Sequence, residues 1–186
     1  PAWNLGIRET QYDYVCVVNN DIEFMTINWL GKLQETLAKN DKIYYTSPRT
    51  CYSKDPKVVS YKIIHFEQLR YSENIQSIHY VVGCCFMCPK KIFEEIGYFD
   101  EKFEMKFYED LDFINRIMSL GKSVSMTMDA QVYHIRGATS TITPGGGNNE
   151  SYYKEKWAGS PYDILSMQLP RITGAKHLNF NPEPKK

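Results

Sequence analysis

The sequence has no long apolar run, no excess of either charge and few cysteines, and each shortage removes a class of protein. No stretch approaches the roughly 18 to 20 apolar residues a membrane-spanning helix needs, so no transmembrane segment is expected. The first ten residues, PAWNLGIRET, lack the basic-then-apolar layout of a secretory leader. Lysine plus arginine number 22 and aspartate plus glutamate 22, giving zero formal net charge. An electrostatic nucleic-acid binder needs a basic excess or stripe, so nucleic acid is not an expected partner. The five cysteines are Cys16, Cys51, Cys84, Cys85 and Cys88. An odd count in a chain large enough to build a core without disulfides fits a reducing compartment. The expected location is cytoplasmic, with the membrane periphery as its alternative.

What is present suits one α/β domain. The chain has 186 residues, 42% of them hydrophobic. Tyr14 to Val18 is a short apolar, β-branched run, the pattern of a strand covered on both faces in a parallel sheet. It stops at Asn19-Asn20-Asp21. Trp29, Leu30, Leu33 and Leu37 then repeat at helical spacing to about Lys39, with Thr26 as the expected N-cap. Ile43 to Thr46 reads as the next strand, Ser47 to Ser77 as a long variable connection, and Ile78 to Cys88 as a strand interrupted at Gly83. Pro89 suits the first turn of a helix that ends at Gly97. Leu111, Ile114 and Met118 form the stripe of a helix stopped by Gly121, and Ser123–Met128 and Gln131–His134 read as two short strands. Gly145 to Gly147 marks a turn region. The expected organisation is one domain over residues 1–160 and a loosely packed tail over 161–186, which holds Pro161, Pro170, Pro182 and Pro184. Because Pro1 opens inside a helix-like segment, an upstream portion is also expected.

Acidic residues stand where α/β sheets bind ligands, just beyond strand ends. Asp21 could offer hard oxygen to Mg²⁺ or Mn²⁺, although Asn-Asn-Asp is equally an ordinary turn sequence. Glu109 and Asp110 open a helix whose N-terminus favours an ionised carboxylate, the form a general base needs; the same pair could be plain dipole decoration. Asp112 with Arg116 has the spacing of a surface ion pair. His134 ends a strand and could present imidazole to a metal, whereas His65, His79 and His177 have no ligand spacing around them. Cys85-x-x-Cys88 is a single cluster where structural zinc needs two, and on a strand its members face opposite ways.

Four segments in order resemble the inverting family 2 glycosyltransferases of the GT-A fold. They are Asn4-Leu5-Gly6-Ile7, YDYVCVVNNDIEF, the block VVGCCFMCPKKIFEEIGYFDEKFEMKFYEDLDFINRI, and Tyr133-His134 with the later YYKEKW. The resemblance implies a GT-A-like, Rossmann-like α/β fold with a mixed, mainly parallel sheet flanked by helices, truncated at its N-terminus before the base-gripping strands. It implies an enzyme that moves a sugar from a nucleotide-sugar donor (UDP-, GDP- or dTDP-linked) to a saccharide or lipid-linked acceptor with inversion. Asp21 and His134 would hold Mn²⁺ or Mg²⁺ against the diphosphate, and Asn19 stands where the family often has its first Asp. Asp110 would be the base and Glu109 would orient the acceptor, with Asn20 and Gly83 also at the substrate. Two other readings stay open on residues alone: a non-catalytic saccharide-binding remnant, or a metal-dependent phosphoesterase built on Asp21, Asp110 and His134.

Overall fold

The computed structural model describes residues 2–51, 70–72, 75–78, 83–104, 107–135 and 147–163. Within them the chain runs α1 (Ala2–Glu9), β1 (Tyr14–Val18), β2 (Ile22–Phe24), α2 (Trp29–Ala38), β3 (Ile43–Cys51), β4 (Arg70–Ser72), β5 (Ile75–Ile78), β6 (Cys85–Pro89), α3 (Ile92–Ile96), α4 (Glu109–Ser119), β7 (Ser123–His134) and α5 (Asn149–Trp157). The strands make one sheet in the order β1-β6-β3-β7-β5-β4. β2 lies on the last residues of β7, where Ile22 pairs with His134.

The sheet is mixed, as expected, but it is not mainly parallel. β3 and β7 form the parallel pair, whereas β1·β6, β3·β6, β5·β7, β4·β5 and β2·β7 are antiparallel. The apolar run in β1 was a signal of cover on both faces, and helices on both sides supply that cover whichever way the neighbouring strand runs. Side chains alternate accordingly. Val15, Val17, Phe86 and Cys88 face a large core with Ile7 of α1, Ile92 and Phe93 of α3, Phe113, Ile114 and Ile117 of α4, and Tyr153 of α5. Cys16, Val18, Cys85 and Met87 face the other way, toward Leu33, Leu37 and Trp29 of α2. Cys85 and Cys88 therefore do point to opposite faces, and among the described residues no group of three or more His, Cys, Asp or Glu is arranged to hold a metal.

Several boundaries move. Thr26 is not a cap: its hydroxyl accepts the Gln131 N–H at 2.9 Å, and Asn28, at φ 60°, precedes α2 instead. β3 continues to Cys51, and β4 and β5 form a hairpin inside the segment read as a connection. Ile78 belongs to β5, the turn at Gly83 separates it from β6, and Pro89 ends β6 rather than opening α3. β7 is one strand with a register irregularity between Thr127 and Gln131 where two strands were expected. Of the other sequence expectations, those at His65, His79, His177, Gly145, Gly146 and residues 164–186 lie outside the described residues.

The Asn4 of the first motif is a structural tie. It is 1% exposed, and its side chain accepts the Phe99 N–H at 3.0 Å and donates to the Phe99 carbonyl at 2.8 Å. A buried amide satisfied on both sides fixes α1 to the Gly97–Asp100 turn as strand pairing would.

Candidate functional site

Two structures meet at the start of β6. The first is the end of β1 and the turn after it. The Asn19 N–H donates to the Cys84 carbonyl at 2.8 Å, so Asn19 is fixed by backbone against β6, while Asn20 is exposed at the turn tip. Asp21 follows, 8% exposed, and the β2·β7 register brings it to His134: Oδ1 and Nε2 are 3.2 Å apart. The Ile135 N–H, donating to the Asp21 carbonyl at 3.1 Å, closes the corner. Two cis ligands of an octahedral ion at about 2.1 Å stand roughly 3 Å apart, so the span of this oxygen and nitrogen would fit a single divalent cation.

The second structure is the N-terminus of α4. Asp110 is pinned by two backbone donors, the Gly83 N–H to Oδ2 at 3.0 Å and the Leu111 N–H to Oδ1 at 2.9 Å. Gly83 can be nothing larger. A Cβ there would lie 2.7 Å from the Asp110 Cβ and 2.9 Å from its Oδ2. Within the described structure, then, Gly83 touches the carboxylate of Asp110. Cys84 lies between the two structures. Its thiol is pushed up to about 11, chiefly by burial, with a hydrogen bond to Thr50 acting against the rise and the charges of Asp110 and Asp21 adding small parts of it. The consecutive residues Gly83 and Cys84 therefore tie Asp110 and the Asp21 turn to the same end of β6. Of the residues singled out in the sequence, Asn19, Asp21, Gly83, Asp110 and His134 are brought together around β6, and Glu109 adjoins them through Asp110.

Glu109 differs from its neighbour. Burial, then the adjacent charge of Asp110, pushes its carboxyl up to about 7, and its buried Oε2 has no hydrogen-bond partner among the described residues. A folded-state value above the ordinary carboxyl one means the native state holds the proton that the unfolded chain releases. Its stabilising contribution is therefore complete below about pH 4.5 and is lost as pH rises through about 7. Glu109→Gln, which mimics the protonated form, is expected to match the parent near pH 4.5. Near pH 8 it should exceed the parent by on the order of 2 kcal/mol in urea unfolding. Parallel stability curves for the two proteins across that range would refute the assignment.

The turn before α4 carries two left-handed aromatic residues, Phe107 at φ 72° and Tyr108 at φ 76°. Each such non-glycine conformation costs of order 1–3 kcal/mol and needs its surroundings to hold it. Asn149, 2% exposed at the start of α5, is that support. Its side chain accepts the Glu104 N–H at 2.9 Å and donates to the carbonyls of Glu104 and Phe107 at 2.9 and 3.1 Å.

α5 is also tied to α4 directly. Asp112 is fully buried, not half of a surface pair. It accepts from Arg116 Nε at 2.9 Å, Lys156 Nζ at 2.8 Å and Trp157 Nε1 at 3.0 Å. The i,i+4 spacing to Arg116 was right, but spacing alone does not report which side of a helix another helix covers. Sequence reasoning missed Asn149, Asp112 and Cys84. The acidic partner of Lys156-Trp157 was the available signal, since a basic residue beside an indole N–H is a ready carboxylate site.

Comparison with known proteins agrees with this architecture. The model of a family described as "Glycosyl transferase family 2" matches residues 1–97. Among curated proteins no sequence matches the chain. Among solved structures, the crystal structure of GalNAc-T7 with UDP, GalNAc and Mn²⁺ superposes with a TM-score of 0.54 at 14% identity, covering 70% of this chain and 29% of that one. The chain thus spans less than a third of that protein, and the likeness is one of fold: a GT-A-like mixed α/β sheet between helices. Because the family match takes in more than half of the 186 residues, through α1, β1, the Asp21 turn, Gly83 and β6, the chain belongs to glycosyl transferase family 2.

Proposed function

We propose that this chain transfers a sugar from a nucleotide-sugar donor to a hydroxyl of a saccharide or lipid-linked acceptor, with inversion and with the help of a divalent cation. The observation that carries the reading is that consecutive residues at the start of β6 tie both halves together: the Gly83 N–H holds the carboxylate of Asp110, and the Cys84 carbonyl holds Asn19 at the turn that carries the Asp21–His134 pair. Asp21 and His134 are the residues that would hold Mn²⁺ or Mg²⁺, whose charge would offset that of the departing nucleoside diphosphate. Asn19 and Asn20 would lie against the same phosphates.

On the acceptor side, Asp110 takes the proton of the attacking hydroxyl as the new C–O bond forms and the bond to the diphosphate breaks. A single displacement of that kind inverts the anomeric centre. Two backbone N–H donors keep this carboxylate aimed, and a carboxylate oxygen accepts more than one hydrogen bond, so being fixed and receiving a proton are compatible. Glu109, its carboxyl raised to about 7 by burial and the neighbouring charge of Asp110, would hydrogen-bond the acceptor and orient it. UDP is the first donor to test because GalNAc-T7 was crystallised with UDP and Mn²⁺; GDP and dTDP follow. A phosphoesterase reading has less behind it, since two-metal chemistry wants a second ligand cluster.

The test is thermal unfolding with Mn²⁺ and each of UDP, GDP and dTDP, repeated for Asp21→Ala. A nucleotide at 100 times its dissociation constant adds about 2.7 kcal/mol. The expected result is a metal-dependent rise with one nucleotide that Asp21→Ala loses. A rise that Asp21→Ala retains would remove the cation from Asp21.

A further inference from the structure

We propose that Phe107 is a stacking platform for a pyranose ring of the acceptor, an inference that rests on the transferase reading above. The two aromatic residues before α4 part company. Tyr108 turns inward, its ring 5.4 Å from that of Tyr153 and packed on the main core. Phe107 turns outward and is 61% exposed. An exposed aromatic on an ordinary loop needs no explanation, but this one is held in a backbone conformation that a bulky residue seldom adopts. Its carbonyl is secured by the buried Asn149. Glycine or asparagine would occupy φ 72° at lower cost. A phenylalanine kept there, fixed by its backbone and open on its ring, is suited to present an apolar face to a ligand.

The place fixes the ligand's chemistry. Phe107 is two residues before Glu109 and three before Asp110, so its ring belongs to the same short segment as the carboxylates assigned to the acceptor. Saccharides offer an apolar face of axial C–H groups with hydroxyls around the rim, and an aromatic ring takes that face while the carboxyl groups of Glu109 and Asp110 take rim hydroxyls.

The experiment is saturation-transfer NMR with the methyl glycosides of glucose, galactose, mannose and N-acetylglucosamine, on the parent chain and on Phe107→Ala, Phe107→Trp and Phe107→Asn. We expect at least one glycoside to be saturated most strongly at the C–H protons of one ring face. Phe107→Ala should reduce the signal at least threefold, and Phe107→Trp should retain it. Phe107→Asn should lose it with an unchanged or raised melting temperature, because asparagine suits the left-handed backbone. Equal signals in the parent and Phe107→Ala, no signal from any glycoside in the parent, or a fall in melting temperature with Phe107→Asn would each overturn the proposal. The Mn²⁺ and nucleotide unfolding test on the same samples reports the donor site separately. A Phe107-dependent glycoside signal without any nucleotide shift would keep the platform and withdraw the donor site from these residues.

Discussion

Asp110→Asn is expected to lower the rate of sugar transfer by about 10²- to 10⁴-fold, the usual contribution of a positioned base, while the chain stays folded. Asparagine has the same shape, and its oxygen keeps one of the two backbone N–H bonds that hold Asp110. Its amide group then meets the other N–H, a mismatch worth about 1–2 kcal/mol, which leaves the fold intact and the base absent. The measurement is formation of the glycosylated product together with nucleotide release, run beside the Mn²⁺ and nucleotide unfolding test. Product at the parental rate would take the base away from Asp110. Gly83→Ala is the companion. It brings a Cβ to 2.7 Å from that of Asp110, so the carboxylate must move and its bond from the residue 83 N–H is lost. A displaced base of this kind costs on the order of tenfold to a hundredfold in kcat, with the KM for donor unchanged, because the Asp21–His134 corner is built by β2 and β7 instead.

The parts of this arrangement that were legible in the sequence are those written in local chemistry. The apolar stripe of α4, its acidic first turn and its glycine stop define the helix that carries Asp110, and the structure has that helix from Glu109 to Ser119. The polar stop after β1 put Asp21 at a strand end. What local chemistry does not encode is which distant segments meet. Asp21 and His134 are joined by strand pairing between opposite ends of the chain, and only the resemblance to a family brought them together beforehand. Strand direction was lost for the same reason, since Val15 and Val17 require cover but not a parallel neighbour. Asp112 was misread because a helix pattern separates apolar from polar faces. A charged residue on the polar side reads as solvated until a second helix, here α5, is laid over it.

That buried carboxylate is where the largest loss of stability is expected. Asp112→Ala should cost about 3–5 kcal/mol, the penalty for removing one partner from a buried ion pair. In a domain of this size that lowers the melting temperature by on the order of 10 °C. The partners decide where in that range it falls. Lys156 keeps Asp100, 2.6 Å away, and Arg116 keeps the carbonyls of Ile96 and Gly97 at 2.8 and 3.2 Å, so neither charge is wholly abandoned. These remaining contacts place the loss toward the lower end. The indole N–H of Trp157 loses the partner it has in Asp112, so Trp157→Phe isolates that bond and should cost about 1 kcal/mol beyond the packing it alters. Urea unfolding measures both, and hydrogen exchange locates the damage. Amides of α5 should open in Asp112→Ala while those of β3 and β7 stay protected, because the latch joins α5 to α4 and leaves the sheet untouched. If instead all amides open together, α5 is part of the cooperative core. If the midpoint does not move, Asp112 contributes nothing to holding the helix that, through Asn149, secures the strained turn ahead of Glu109 and Asp110.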